Sequence, residues 1–113
     1  MTSLSASVSD LNIMNEVYSI SRLRDILTPI FQRNQVKRAI LFGSYGKGTA
    51  TTRSDVDIMV DSGLRGLAYF GLVDEVCESL DCDVDLIDIA DIVPDSRVDR
   101  EIRSTGVVIY ERQ

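Results

Sequence analysis

The chain has 113 residues and a net charge of −6, from 12 lysines and arginines against 18 aspartates and glutamates. This length suits one domain, and the composition, 44% hydrophobic and 27% charged, is typical of a packed globular protein. The acidic balance argues against binding to duplex DNA or to an anionic membrane, because both require many cationic contacts. The sequence contains no histidine, which excludes Ser-His-Asp catalysis and zinc sites that contain imidazole.

The first third of the chain predicts an arm, a helix and a strand. Residues 1–15 carry scattered serines without a clear period, and we expect a mobile arm there, followed by one domain over residues 16–113. Apolar residues at helical spacing predict a helix from Val17 to Asn34, in which Pro29 causes a kink or a restart. A continuous apolar run predicts a buried strand from Val36 to Phe42.

The rest of the chain predicts more strands with helices between them. Gly43–Arg53 has no helical pattern and is predicted to be a loop, which favours antiparallel pairing of the strands on either side. One helix follows Gly66, with Cys77 on its apolar stripe, and a short helix ends at Gly106. The further strands are predicted at Asp55–Val60, Asp83–Ile89 and Val107–Tyr110. This alternation predicts an α/β (α+β) fold, a small mixed β-sheet flanked by helices.

The cysteines and the lack of targeting segments bear on location. Cys77 and Cys82 do not form a C-x-x-C pair, and no signal peptide is visible. No apolar run approaches the roughly 20 residues that span a bilayer. We therefore expect a reduced, cytoplasmic compartment.

Three acidic residues in two predicted strands are the main candidates for chemistry. Asp55 and Asp57 are two positions apart, so their side chains leave the same face of a strand. Asp85 joins them if its strand is a neighbour. Carboxylates this close repel by roughly 2 kcal/mol per pair at an effective dielectric near 20, so a cluster of this kind does not serve stability. Divalent cations reverse the sign, and an all-oxygen site prefers Mg²⁺ or Mn²⁺.

A glycine-rich turn precedes the acidic pair. Its glycines let backbone N–H groups approach an anion, Ser44 adds a hydroxyl and Lys47 adds a cation. A phosphate-binding turn followed by an acidic pair would place a triphosphate beside metal ions. Two such ions can stabilise the attacking and leaving oxygens of an in-line displacement.

These residues resemble a known family. Gly43-Ser44, ten intervening residues and Asp55-Val56-Asp57 form the G-S-x10-D-x-D pattern of the DNA polymerase β-like nucleotidyltransferases. The string L-F-G-S-Y-G-K-G-T-A-T-T-R-S-D-V-D-I-M-V is similar to their minimal form, the MNT proteins, and V-D-L-I around Asp85 resembles their third acidic strand. The sequence departs from the usual G-S-x-A-R-G at two positions, where Gly46 replaces alanine and Lys47 replaces arginine.

The resemblance implies a polymerase β-like nucleotidyltransferase fold and a role for each motif residue. Asp55 and Asp57 would bind two Mg²⁺ ions, with Mn²⁺ as the other candidate, and Asp85 would complete the site and position or deprotonate the attacking hydroxyl. Gly43 and Ser44 would hold the β- and γ-phosphates of ATP.

The resemblance also implies a biological role. Many stand-alone MNT proteins resemble antitoxins paired with HEPN-domain RNase toxins, and can transfer AMP from ATP to a tyrosine of the toxin. The expected function is therefore Mg²⁺-dependent AMP transfer to a HEPN-type partner. Two alternatives remain open, neutralisation of the partner by binding alone and transfer to a small-molecule hydroxyl, and a second copy of the chain is the other candidate partner.

Structural roles for the same residues also remain open. Asp85 can belong to an acidic sheet edge, because Asp83 precedes it and Asp88 follows it. Asp83 shares a face with Asp85, whereas Asp88 points to the opposite face. Ser44 can simply cap the turn, and Lys47 can face solvent.

Overall fold

The computed structural model describes residues 17–112, so the arm expected over residues 1–15 lies outside the described residues. Within that range, helices and strands largely alternate along the chain. The elements are α1 (Ile20–Arg33), β1 (Arg38–Phe42), α2 (Gly43–Lys47), β2 (Val56–Asp61), α3 (Gly66–Ser79), β3 (Val84–Asp88), a 3₁₀ turn (Ile89–Asp91), α4 (Arg97–Thr105) and β4 (Val107–Glu111). None of the helices between residues 17 and 112 is long and apolar enough to cross a bilayer.

The four strands form one mixed sheet in the order β3–β2–β1–β4. Strand β1 is antiparallel to both β2 and β4. Strands β2 and β3 are parallel, and α3 supplies the helical crossover that a parallel pair requires. The predicted small mixed sheet, with the first two strands antiparallel, is confirmed.

The sheet is covered on both faces. Helices α1 and α3 pack on one face, where alternate residues of β2, Val56, Ile58 and Val60, are fully buried. On the other face, Ile102 of α4 packs with Phe42 and Met59. The alternate residues of β2, Asp57, Met59 and Asp61, therefore lie on the face that α4 covers.

Helix α1 is continuous through its proline. It begins at Ile20, because the Ser19 hydroxyl accepts a hydrogen bond of 3.0 Å from the Arg22 N–H and caps the first turn. The predicted start at Val17 is therefore three residues too early. Pro29 lies inside the helix and does not restart it. A proline removes one helical hydrogen bond, whereas the buried face of α1 is held on the sheet on both sides of it, by Leu27 and Phe31.

Two local predictions are wrong. The first five residues of the predicted loop form α2, which starts from Gly43 in the left-handed region (φ 69°), ends before Gly48 (φ 80°) and buries Tyr45 in the core. Cys77, expected on the core stripe of α3, is exposed. The buried residues of α3 are Leu72 and Val76, so the packed stripe is centred one position before the predicted one.

Candidate active site

Two of the predicted acidic residues lie side by side on neighbouring strands. Asp57 is the second residue of β2, Asp85 is the second residue of β3, and their Cα atoms are register partners in the parallel pair. Both side chains leave the sheet on the face that α4 covers, because Asp57 is also the register partner of Phe42, which packs against α4. The structure therefore brings Asp57 and Asp85 together from separate parts of the chain.

Asp55 lies outside the sheet. It is exposed and comes immediately before the first residue of β2. Its charge still reaches the site, because it is one of the carboxylates that raise the pKa of Asp57. In this structure Asp55 is thus a neighbour of the strand pair rather than part of it.

Asp57 is the most perturbed carboxyl group of the site. Partial burial, followed by the charges of Asp85, Glu101 and Asp55, raises its pKa from 3.8 to about 6. Both causes act by disfavouring the ionised form. A cation would stabilise the ionised form of a carboxylate that has three acidic neighbours.

The glycine turn touches this carboxylate directly. Gly43 follows the last residue of β1, and its Cα faces the Asp57 carboxylate so closely that Asp57 Oδ2 occupies the space of a Cβ atom. Its φ of 69° adds a second reason for glycine at this position. The predicted phosphate turn and the predicted metal ligand are therefore in contact.

The other two turn residues occupy different ends of α2. Ser44 is half-buried in the first turn, where backbone N–H groups have no intrahelical acceptor and can bind an anion. Its carbonyl accepts a hydrogen bond of 2.9 Å from the Thr49 N–H, which folds the following loop back on the helix. Lys47 is exposed in the last turn of α2, at the opposite end of the helix from the Gly43 contact.

Two residues of α4 belong to the site and were not predicted from the sequence. Thr105 Oγ1 accepts a hydrogen bond of 3.0 Å from the Gly43 N–H, and Glu101, one turn earlier, contributes to the raised pKa of Asp57. Their spacing of four residues places them on one face of the helix. The sequence shows only two polar residues in an amphipathic helix, and nothing in that pattern distinguishes them from a solvent-exposed face.

The donor set fits a hard divalent cation. Asp55, Asp57 and Asp85 offer only carboxylate oxygens, which suit Mg²⁺ or Mn²⁺. Among the described residues, no three acidic side chains already converge closely enough to share one ion. Carboxylates that carry no counter-charge repel one another, so we expect ion binding to draw these side chains inward.

Two surface pockets lie away from these carboxylates. One of about 140 Å³ is lined by residues at the start of α3 and by the 3₁₀ turn, including Tyr69, Phe70 and Asp88. This is the opposite end of β2 and β3 from Asp57 and Asp85.

The sequence matches known proteins over most of its length. Residues 25–113 match the family described as Polymerase beta, Nucleotidyltransferase. Protein adenylyltransferase MntA from Shewanella oneidensis is 36% identical over 78 residues, which make up 67% of this chain and 52% of MntA. The matched region thus spans about half the length of that curated relative.

Solved structures resemble the fold of the chain. A crystal structure of a toxin–antitoxin complex with AMP-PNP contains a chain of 26% identity and TM-score 0.66, with 80% of this chain and 74% of that chain covered. The tri-AMPylated Shewanella oneidensis HEPN toxin in complex with MNT antitoxin gives a TM-score of 0.62 at 22% identity, covering 83% of this chain and 74% of that chain. The second likeness, at its lower identity, shows the fold alone. Together they confirm the predicted mixed sheet with flanking helices.

Proposed function

We propose a reaction for this chain from one premise, that it belongs to the Polymerase beta, Nucleotidyltransferase family. The reaction is the transfer of AMP from ATP to a hydroxyl group of a protein. The acceptor oxygen attacks the α-phosphorus, the bond from that phosphorus to the α,β-bridging oxygen breaks, and pyrophosphate leaves. The observation that carries the proposal is the pairing of Asp57 with Asp85, in contact with the turn at Gly43.

Each residue of the site has a role in this proposal. Asp55 and Asp57 hold two Mg²⁺ ions, and Asp85 completes the ligand set and orients or deprotonates the acceptor hydroxyl. Bound Mg²⁺ neutralises charge on the phosphates during transfer. Gly43 and Ser44 hold the β- and γ-phosphates, Ser44 through its N–H and hydroxyl and Gly43 through the turn that it allows, since the Gly43 N–H already donates to Thr105 Oγ1. Lys47 supplies a further cation from the exposed end of α2.

The acceptor that we propose is a tyrosine of a HEPN-type toxin, which makes the chain an antitoxin. The name of the Shewanella relative, protein adenylyltransferase, supports a protein acceptor. The 26% identical structure, a toxin–antitoxin complex with AMP-PNP, supports both a toxin partner and an adenine nucleotide. We place the reaction in the cytoplasm, where the free thiols of Cys77 and Cys82 remain reduced.

The test is AMP transfer to the protein encoded by the neighbouring gene. The chain is incubated with that protein, Mg²⁺ and ATP labelled in the α-phosphate, and the label on the partner is measured. We expect the Asp55→Asn, Asp57→Asn double variant to lower the transfer rate by at least about 10³-fold, because it removes ligands that stabilise transition-state charge.

Asp61→Asn is the matched control, because Asp61 lies on the same face of the same strand, at the end far from the turn. We expect it to retain transfer within about twofold. A partner that binds the parent chain and takes up no label would remove the catalytic proposal. Full neutralisation of the toxin by the double variant would favour the alternative, in which binding alone is sufficient.

A further inference from the structure

The segment Gly43–Lys47, which we propose binds phosphate, is hydrogen-bonded to the end of α4 through the side chain of Thr105. Thr105 Oγ1 accepts the hydrogen bond of 3.0 Å from the Gly43 N–H and donates one of 2.7 Å to the Glu101 carbonyl. The hydroxyl of Thr105 is therefore used in both directions. It connects the first amide of α2 to the last turn of α4.

A second contact holds the turn three residues later. At Gly46 a Cβ atom would overlap the carbonyl oxygen of Thr105 and would lie 3.1 Å from the carbonyl oxygen of Leu41. Both obstacles are backbone atoms, which cannot rotate away as a flexible side chain does. The glycine that stands here in place of the usual alanine is thus the residue that lets α2 lie against Thr105.

The position of the turn matters because of what lies on its other side. Gly43 is packed against the Asp57 carboxylate, so a shift of the turn changes the spacing between the phosphate-binding amides and the metal ligand. Misplacement of reacting groups by about 1 Å can cost on the order of 10²-fold in rate. The Thr105 contact therefore bears directly on the geometry of the site.

We propose that Thr105 is a positioning residue for the nucleotide. Its hydroxyl fixes the Gly43 amide, so that the N–H groups of the first turn of α2 keep their direction towards the phosphates beside Asp57. Gly46 is its complement, because only glycine admits the Thr105 carbonyl at that distance. This inference rests on the proposed function, since it assigns a residue to the same nucleotide site.

The experiment compares three hydroxyl variants. Thr105→Val keeps the branched shape and removes the hydroxyl, and Thr105→Ser keeps the hydroxyl. Ser104→Ala is the matched control, because the Ser104 hydroxyl also donates to the Glu101 carbonyl, at 3.3 Å, but is exposed and does not reach the turn. The readouts are Kd for MgATP, KM and kcat for transfer, and amide hydrogen exchange of residues 43–47 by NMR.

We expect Thr105→Val to raise Kd and KM for MgATP by about tenfold, because the released turn would have to be ordered again when the nucleotide binds. Exchange of the Gly43 amide should accelerate by at least about tenfold in the same variant. Thr105→Ser should return all three values to within about twofold of the parent, and Ser104→Ala should not change them. Gly46→Ala should raise KM as Thr105→Val does, although alanine is the better helix former.

Several results would overturn the inference. Unchanged MgATP affinity and unchanged Gly43 exchange in Thr105→Val would show that the hydroxyl does not position the turn. If Thr105→Val does not fold, the proposal is tested by Thr105→Ser and Gly46→Ala instead. A Kd for MgATP in Gly46→Ala equal to that of the parent would then contradict the proposal. A parent chain that binds MgATP without transferring AMP would remove the proposed function alone, whereas a parent chain that binds no MgATP would remove both.

Discussion

The two ends of the parallel pair β2 and β3 surround an aspartate carboxylate with opposite environments. At the end of β3, Asp88 is only 5% exposed and accepts three hydrogen bonds, from the Ser62 N–H (3.2 Å), the Ser62 hydroxyl (2.6 Å) and the Ala90 N–H (2.9 Å). Near the start of β2, the Asp57 carboxylate receives no hydrogen bond from the described residues, and its charged neighbours are Asp85, Glu101 and Asp55. The fold therefore supplies hydrogen-bond donors to Asp88, whereas none of the described residues donates to Asp57.

This difference separates a carboxylate that the fold stabilises from one that we propose to be functional. A buried charge that accepts several hydrogen bonds is stabilised where it lies, and Asp88 joins the end of β2 to the 3₁₀ turn in this way. A partly buried charge among like charges is unfavourable until a cation arrives. Position in a strand and residue type are therefore not sufficient to assign a role, whereas the count of donors around the group is informative.

The largest expected effect on stability is at Asp88. We expect Asp88→Ala to lower the free energy of unfolding by about 2–4 kcal/mol, because it leaves the donors of Ser62 and Ala90 buried without an acceptor. Asp88→Asn is the control, since its single carbonyl oxygen can still accept from Ser62, and we expect it to cost about half as much. Urea unfolding measures both. A loss below about 0.5 kcal/mol in Asp88→Ala would show that the two ends of the strand pair do not differ in the way described.

Mg²⁺ should act at the other end only. At a concentration of about 10–100 times its Kd, it should stabilise the parent chain by roughly 1.4–2.7 kcal/mol, because the folded state binds it and the unfolded state does not. We expect Asp57→Asn to abolish this stabilisation and Asp88→Asn to preserve it. Melting temperatures with MgCl₂ and with EDTA provide the measurement. Equal stabilisation of the parent and Asp57→Asn would place the ion elsewhere.

Much of this comparison could be predicted from the sequence. The period-2 pattern of β2 and the G-S-x10-D-x-D motif identified Asp57 and the turn at Gly43, and both are local features of the chain. The alternation of side chains along a strand predicted that Asp88 and Asp85 lie on opposite faces of the sheet. In β3, Asp85 is exposed and Asp88 is buried, as that prediction requires. The pairing of Asp57 with Asp85 required β2 and β3 to be neighbours, a condition that the sequence left open.

The rest depended on tertiary contacts that leave no local pattern. The link from Thr105 to Gly43 joins residues 62 positions apart, and one hydroxyl in an amphipathic helix does not predict it. The helix at the start of the predicted loop forms because Tyr45 is buried, although three of its five residues are glycine or serine. The exposure of Cys77 is a one-position error in the helical stripe, since the residue before it, Val76, is the buried one.

The smallest expected effect is a change of stability with pH that originates at Asp57. Its pKa is about 6 in the folded chain against 3.8 in the unfolded chain, so the folded state holds more protons between these values and its stability falls as the pH rises through that range. Because the side chain is partly exposed, solvent screening reduces the effect to about 1 kcal/mol. In EDTA, we expect Asp57→Asn to remove this fall and Asp61→Asn to retain it, as measured by urea unfolding from pH 4 to pH 7. If Asp57→Asn is no more stable than the parent at pH 7 and the two pH profiles are parallel, then Asp57 is not destabilised by its neighbours, and its contrast with Asp88 does not hold.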